Sequence, residues 1–119
     1  MKQILAVDDN PANLTLVRET LKDRYKVTVV TSGEQALRFL EQKQPDLILL
    51  DYCMPGMDGI ETLEKINELP NQTWKVLFLT ALAEQDLVDE CAELGAIGCI
   101  PKPFTPAVIQ EACFNAIGE

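Results

Sequence analysis

Three short stretches of the sequence are apolar at almost every position, and they constrain the fold more than any other feature. They cover residues 4–7, 47–50 and 76–79. A strand with one face in water alternates apolar and polar side chains, whereas a strand covered on both faces is apolar throughout. The three stretches therefore predict central strands of a parallel sheet that has helices packed on both faces.

Segments with helical spacing separate these stretches and two weaker strand candidates. Leu14, Val17 and Leu21, for example, recur at the spacing of one helix face. Asn10 and Thr105 each precede a proline, which is typical of an N-cap and the first helical position. The alternation predicts an α/β domain of (βα)5 type with a doubly wound, five-stranded parallel sheet. The predicted strands are residues 3–8, 26–30, 46–50, 75–80 and 97–100, and the second of them resembles an edge strand.

We expect one domain over residues 1–119, because no stretch is rich enough in Gly, Ser or Pro to act as a linker. The four cysteines contain no CxxC pair, which favours small buried side chains in a reducing compartment. The first apolar run is too short for a signal-peptide core or a membrane span. These features predict a cytoplasmic protein.

The charge of the chain restricts its chemistry and its partners. It has 19 acidic side chains, 10 basic ones and no histidine. Without histidine there can be no Ser-His-Asp or Cys-His nucleophile pair and no zinc site built on imidazole. The net charge of −9 disfavours binding to nucleic acid or to an anionic membrane. We therefore expect proteins or cations as partners.

Polar residues stand at the ends of four of the five predicted strands. Ligands of a doubly wound sheet bind beyond the carboxyl ends of its strands, so these residues are the candidate site. Carboxylates that converge there would repel one another unless a cation shared the site, and Mg²⁺ prefers such oxygen ligands. The strand-end residues are Asp8 and Asp9, then Asp51, then Thr80 and Ala81, and finally Lys102 and Pro103.

Taken together, these residues resemble the response regulator receiver domains of two-component signalling, over residues 3 to 117. The motifs that carry the resemblance are Asp8-Asp9, the DYCMPGMDG segment of residues 51–59, Thr80-Ala81, and the KPF segment of residues 102–104. Each is common loop chemistry by itself, and their specificity lies in their order and their places at strand ends. The resemblance implies a flavodoxin-like sheet with strand order 2-1-3-4-5.

The resemblance also implies a phosphoacceptor and a metal. Asp51 would take a phosphoryl group from the phosphohistidine of a sensor histidine kinase or a histidine phosphotransfer protein. Mg²⁺ would be held by Asp9, Asp51 and the backbone carbonyl of Cys53, with Asp8 acting mainly through water. Such a chain is a phosphoacceptor and switch rather than an enzyme, and only self-phosphorylation from small donors and autodephosphorylation are expected of it.

The remaining roles that the resemblance implies belong to the switch. Lys102 would pair with the phosphoryl oxygen, and the amides of Cys53 and Ala81 would contact it. The hydroxyl of Thr80 would move to the phosphorylated aspartate and so control an output partner or domain. The peptide bond between Lys102 and Pro103 is expected to be cis.

One position departs from the pattern of the family, and two variable positions carry side chains that bear on the chemistry. Cys99 stands three positions before the lysine, where most receivers carry Tyr or Phe, and a thiol cannot fill and vacate an aromatic slot. Its plainer interpretation is a small core residue. Leu82 and Cys53 occupy two variable positions beside the acyl phosphate, where neither side chain would orient water. They suggest a long-lived phosphorylated state.

The fourth predicted helix has an acidic surface, on a face that receivers commonly use for output. It is either a solvated helix or a docking surface for a basic output partner. Its acids are Glu84, Asp86, Asp89, Glu90 and Glu93.

Several other functions compete for the same pattern. A haloacid-dehalogenase phosphohydrolase needs a second aspartate where this chain has Cys53. An FMN-binding flavodoxin needs a phosphate loop where this chain has Asp8, Asp9 and Asn10, and no GxxxxGK[ST] motif of a P-loop NTPase is present. The remaining alternative is a pseudo-receiver, an interaction module that keeps the fold without phosphorylation.

Overall fold

Strands and helices alternate along the chain, as the hydrophobic pattern predicts. The computed structural model describes residues 1–70, 72–81 and 85–118, except for the side chains of residues 85–87. The strands are β1 (Gln3–Val7), β2 (Lys26–Val30), β3 (Leu47–Asp51), β4 (Lys75–Thr80) and β5 (Gly98–Pro101). The helices are α1 (Pro11–Leu21), α2 (Gly33–Leu40), α3 (Gly59–Asn67), α4 (Gln85–Glu93) and α5 (Pro106–Ile117).

The five strands form one parallel sheet in the order β2-β1-β3-β4-β5. This confirms the predicted order and the place of β2 at an edge. Three of the predicted strands had bounds that were wrong by one residue. Asp8 follows β1, and β5 begins at Gly98. Asp51 is the last residue of β3, because it stays in register with Leu79 of β4.

Alternate residues of the central strands face two separate hydrophobic clusters. Leu47 and Leu49 pack on the side covered by α1 and α5, whereas Ile48 and Leu50 pack on the side covered by α2, α3 and α4. All four side chains are fully buried. The near-continuous apolar pattern of β1, β3 and β4 therefore results from burial on both faces.

The cysteines differ in their exposure. Cys91 and Cys113 are buried and Cys99 is half-buried, as expected for small core residues, but Cys53 is exposed. The expectation that all four would be buried was therefore wrong for Cys53, because it lies in the loop that follows β3. Within the part of the chain that the structure describes, no helix has both the length and the apolar character needed to cross a bilayer.

Side-chain caps fix the starts of α1, α2, α3 and α5, near the carboxyl ends of the strands. The Asn10 side chain accepts a hydrogen bond from the N–H of Ala12 at 2.9 Å, at the start of α1. The Asp58 side chain accepts one from Glu61 at the start of α3, and Thr105 caps α5. These caps satisfy N–H groups that have no partner within the helix, and they hold the loops that surround the strand ends.

Gly59 begins α3 at a point where the helix lies directly against the end of β3. A Cβ at this position would stand 2.4 Å from the carbonyl oxygen of Asp51 and 2.8 Å from the Cα of Tyr52. The N–H of Gly59 donates to the carbonyl of Tyr52 at 2.9 Å, which keeps the two backbones together. Only glycine fits this approach without moving the end of the strand.

We predict that Gly59→Ala lowers the free energy of unfolding by about 2 kcal/mol, because the new methyl group overlaps backbone atoms that cannot move independently. Urea unfolding measures the change. Gly98→Ala is the matched control, since a Cβ there would meet only Leu77 Cδ2 at 3.4 Å, and its effect should stay within about 0.5 kcal/mol. Equal stability of the two variants would contradict the prediction.

Candidate functional site

The carboxyl ends of β1, β3, β4 and β5 surround one open cavity of about 300 Å³. The residues predicted to bind metal, accept or contact the phosphoryl group, or act in the switch all line this cavity, together with two asparagines. The lining residues are Asp8, Asp9, Asn10, Asn13, Asp51, Cys53, Thr80, Ala81 and Lys102. The parallel sheet therefore brings residues from four separate strand ends into one place.

Asp8 is a fully buried carboxylate that accepts three hydrogen bonds. The backbone N–H of Asn10 donates to its Oδ1 at 2.9 Å. Its Oδ2 accepts from Asn13 Nδ2 at 3.1 Å and from Lys102 Nζ at 3.2 Å. A buried charge is stable only where it is paired and hydrogen-bonded, and these donors meet both requirements.

Asp51 is also buried, with 3% of its surface exposed, and it shares the same cation. Lys102 Nζ lies 2.9 Å from Asp51 Oδ1, and the backbone N–H of Cys53 donates to that oxygen at 3.3 Å. One ammonium group therefore stands between two buried carboxylates. The cluster of Asp8, Asp51 and Lys102 has one negative charge in excess when all three groups are ionised.

Burial and the neighbouring charges shift the pKa values of this cluster. Burial, opposed by the hydrogen bond from Lys102 and reinforced by Asp8, raises the pKa of Asp51 from 3.8 to about 6. For Lys102, burial lowers the pKa, but the hydrogen bond to Asp51 and the charges of both carboxylates outweigh it and raise the pKa overall. The site thus holds Asp51, whose raised pKa disfavours ionisation, beside Lys102, whose raised pKa favours the protonated ammonium.

The chemistry of the donor set fits a hard divalent cation. Asp8, Asp9 and Asp51 offer carboxylate oxygens that all lie within 4.8 Å of one another, and Asp9 is exposed to solvent. They are the one group of potential metal ligands among the described acidic and cysteine side chains. Oxygen ligands with room for water suit Mg²⁺ better than a soft metal. A second cation would also offset the excess negative charge of the cluster.

Thr80 and Lys102 lie on neighbouring strand ends that are joined through the backbone. Thr80 is buried at the end of β4, and its carbonyl accepts a hydrogen bond from the N–H of Lys102 at 2.8 Å. The predicted cis peptide between Lys102 and Pro103 is present. Ala81 follows Thr80 and is exposed on the rim of the cavity.

Cys99 packs among apolar residues beside Cys91. It pairs in register with Phe78 of β4 and contacts the hydrophobic cluster under α4. Burial is the main cause, and the neighbouring Cys99 the second, of the raised pKa of Cys91, which is about 12. This environment supports the interpretation of Cys99 as a small core residue.

Three of the five acids of the predicted fourth-helix surface have described side chains. Asp89, Glu90 and Glu93 lie on α4 and are exposed. Leu82 and Glu84 lie outside the described residues, and so does the side chain of Asp86.

Asn13 was not predicted as a site residue. Asn10 was predicted only as a helix cap, although its backbone N–H also donates a hydrogen bond to Asp8. One signal could have found Asn13. A residue three positions after the N-cap lies in the first turn of the helix, close to the loop that carries the acidic pair.

The chain is similar to known proteins over nearly its whole length. A family model described as response regulator receiver domain matches residues 4–114. Sporulation initiation phosphotransferase F of Bacillus subtilis (strain 168) is 38% identical over 112 residues, which are 93% of this chain and 90% of that protein. Signal transduction histidine-protein kinase BarA of Escherichia coli (strain K12) is 40% identical over 103 residues, which are 85% of this chain but 11% of the kinase.

A solved structure extends the similarity to the fold. The receiver domain of sensor histidine kinase PA1611 from Pseudomonas aeruginosa PAO1 superposes with a TM-score of 0.87 and 34% identity, covering 99% of this chain and 98% of that domain. That structure has a magnesium ion coordinated in its active site cleft.

We predict that Asp51→Asn stabilises the protein at neutral pH in magnesium-free buffer. The pKa of Asp51 is raised in the folded state, so ionisation of this group costs stability as the pH rises from about 4 through about 6. The amide removes that cost, and the free energy of unfolding should increase by about 2 kcal/mol at pH 7.5. The gain should disappear near pH 4, where the native carboxyl is protonated.

Urea unfolding at several pH values, with a chelator present, measures this difference. Asp23→Asn is the matched control, because Asp23 is exposed and distant from the cavity. A pH-independent effect of Asp51→Asn, or an equal effect of the control, would contradict the prediction.

Proposed function

Because the chain belongs to the response regulator receiver domain family of two-component systems, we propose that it accepts a phosphoryl group on Asp51 from a partner's phosphohistidine. The donor is a sensor histidine kinase or a histidine phosphotransfer protein. One observation carries the proposal: Lys102 Nζ stands within 2.9 Å of Asp51 Oδ1 and 3.2 Å of Asp8 Oδ2 in an open cavity. This geometry gives a buried carboxylate nucleophile a fixed cation beside it.

In the proposed step a carboxylate oxygen of Asp51 attacks the phosphorus of the phosphohistidine. An O–P bond forms as the N–P bond breaks, and the electron pair of that bond remains on the partner's imidazole nitrogen. Lys102 neutralises one oxygen of the transferred group, and the amides of Cys53 and Ala81 contact the others. The side chains need no large movement, because Lys102 and Cys53 N–H already lie beside Asp51.

We propose Mg²⁺ as the cofactor, held by Asp9, Asp51 and the backbone carbonyl of Cys53, with Asp8 acting mainly through water. The three clustered carboxylates and the magnesium ion of the 34% identical Pseudomonas receiver domain support this assignment. When bound, Mg²⁺ neutralises charge on the phosphoryl group and on the acids. Asp8 and Asp51 hold Lys102 in the same cavity, so the protein's own residues orient the acceptor carboxylate.

The proposed switch runs from the acceptor to β4 and β5. Thr80 at the end of β4 would bind the phosphorylated aspartate through its hydroxyl, while Lys102 N–H already bonds the carbonyl of Thr80. A movement of either residue would therefore displace the other through this backbone hydrogen bond. Cys99 takes the place of an aromatic residue, so the signal reaches the surface without an aromatic side chain at that position.

The output partner that we propose is a basic protein surface that docks on α4. The exposed acids Asp89, Glu90 and Glu93 support this, since opposite charges steer association. We also propose that the chain works in the cytoplasm as a phosphoacceptor and switch rather than an enzyme. The cysteines in the structure are free thiols, which agrees with a reducing compartment.

The competing function is a pseudo-receiver that binds a partner without phosphorylation. A module without the chemistry does not need two buried acids beside one lysine. Replacing one of the acids by an apolar residue would remove the excess negative charge. The retained cluster of Asp8, Asp51 and Lys102 therefore favours the phosphoacceptor.

We predict that a small acyl-phosphate donor with Mg²⁺ adds one phosphoryl group to the protein, and that Asp51→Asn abolishes the addition. Intact mass spectrometry measures it. Asp23→Asn should be modified like the native chain, and a chelator should prevent modification of both. Failure of the native chain to gain a phosphoryl group under these conditions would favour the pseudo-receiver.

A second prediction separates the two roles of the lysine. Lys102→Met removes the ammonium but keeps a similar length, so the cavity becomes more negative. Mg²⁺ should bind more tightly, whereas phosphorylation should slow by about tenfold or more, because the transferred oxygens lose a fixed cation. Calorimetry and the rate of phosphorylation measure the two effects.

Lys26→Met at the exposed start of β2 is the matched control and should change neither quantity. Weaker Mg²⁺ binding by Lys102→Met, or unchanged phosphorylation, would contradict the assignment.

A further inference from the structure

Asn13 contacts the candidate site although none of the roles above uses it. It lies in the first turn of α1, is half-buried and lines the cavity. Its Nδ2 donates to Asp8 Oδ2 at 3.1 Å. Because the amide nitrogen points to Asp8, the amide plane is fixed and its carbonyl oxygen is turned away from that carboxylate.

Capping does not account for this asparagine. The N-cap of α1 is Asn10, whose side chain already accepts the hydrogen bond from Ala12. Asparagine is also a weaker helix former than leucine or alanine inside a helix. A purely structural role at this position would thus be served better by another residue, whereas an amide donor beside a buried carboxylate has a direct partner.

The two donors to Asp8 Oδ2 differ in whether they also bind another group. Asn13 is held by α1 and has Asp8 as its partner at this end of the side chain. Lys102 is shared, and it lies closer to Asp51 Oδ1 than to Asp8, at 2.9 Å against 3.2 Å. When Lys102 pairs with a phosphoryl group on Asp51, Asp8 Oδ2 loses its cation and Asn13 is the donor that remains.

We infer that Asn13 is a positioning residue that holds the carboxylate of Asp8 in place through the Nδ2–Oδ2 hydrogen bond, before and after Lys102 shifts. This inference rests on the proposed function, because the shift of Lys102 belongs to it. Asn13 and the N–H of Asn10 clamp one carboxylate oxygen each. The carboxylate then keeps one orientation toward the cavity and toward Mg²⁺. Substitution of a residue that orients a metal ligand in this way commonly weakens metal affinity 10- to 100-fold.

The test compares Asn13→Leu, which keeps the size but removes the donor, with Asn115→Leu on the exposed face of α5. Mg²⁺ affinity is measured by calorimetry, and the backbone amide of Asn10 is followed by NMR chemical shift and hydrogen exchange. We expect Asn13→Leu to bind Mg²⁺ about tenfold more weakly and to expose the Asn10 amide to faster exchange. Asn115→Leu should match the native chain in both measurements.

Lys102→Met provides a second background for the same substitution. With the lysine absent, Asn13 is the described side-chain donor left on Asp8 Oδ2, so Asn13→Leu should weaken Mg²⁺ binding more than it does in the native chain. If Asn13→Leu does not fold, Asn13→Ala takes its place, because it removes the donor and shortens the side chain.

Native Mg²⁺ affinity and an unchanged Asn10 amide in the Asn13 variant would overturn the inference. So would equal weakening by Asn115→Leu, or an effect no larger in the Lys102→Met background. Failure of the native chain to bind Mg²⁺ would instead refute the proposed metal site. The Asn10 amide would then decide about Asn13 on its own: faster exchange would support the positioning role, and unchanged exchange would overturn it.

Discussion

The site depends on one shared ion pair, in which the Lys102 ammonium serves two buried carboxylates at once. One lysine cannot neutralise two acids, and burial together with the repulsion from Asp8 raises the pKa of Asp51 although Lys102 lowers it. The proposed divalent cation would relieve that repulsion, because it adds positive charge near the acids. The proposed phosphoryl group would instead draw Lys102 toward itself and leave Asp8 with its other donors. The charge balance of the folded site therefore changes with each proposed ligand.

The sheet makes this arrangement possible because its register aligns the strand ends. Val7 pairs with Leu50, and Asp51 pairs with Leu79, so the residues that follow leave the sheet side by side. Burial of β1 and β3 on both faces keeps these ends rigid. The close contact at Gly59 and the cap at Asn10 hold the adjoining loops. The charge cluster therefore lies at strand ends that the buried sheet and the adjoining loops hold in place.

Much of this could be predicted from the sequence, for reasons that are visible in particular residues. Burial on both faces leaves a continuous apolar run, so β1, β3 and β4 were recognisable. Polar residues at their ends indicated Asp8, Asp51 and Thr80, and the end of the weaker strand β5 indicated Lys102. The contact of Asn13 with Asp8 was not predictable in the same way, because it depends on where the first turn of α1 sits above β1. The exposure of Cys53 was missed because residue type alone favours burial of cysteine.

The most direct test of the account is a carbon-13 NMR titration of the Asp51 carboxyl group in the native chain, without and with Mg²⁺. We expect a midpoint near pH 6 in magnesium-free buffer and a lower midpoint when Mg²⁺ is added, because the cation favours the ionised carboxylate. An ordinary midpoint near pH 4 that Mg²⁺ does not change would contradict this expectation, since burial and Asp8 would then not raise the pKa of Asp51 and no cation would bind beside it.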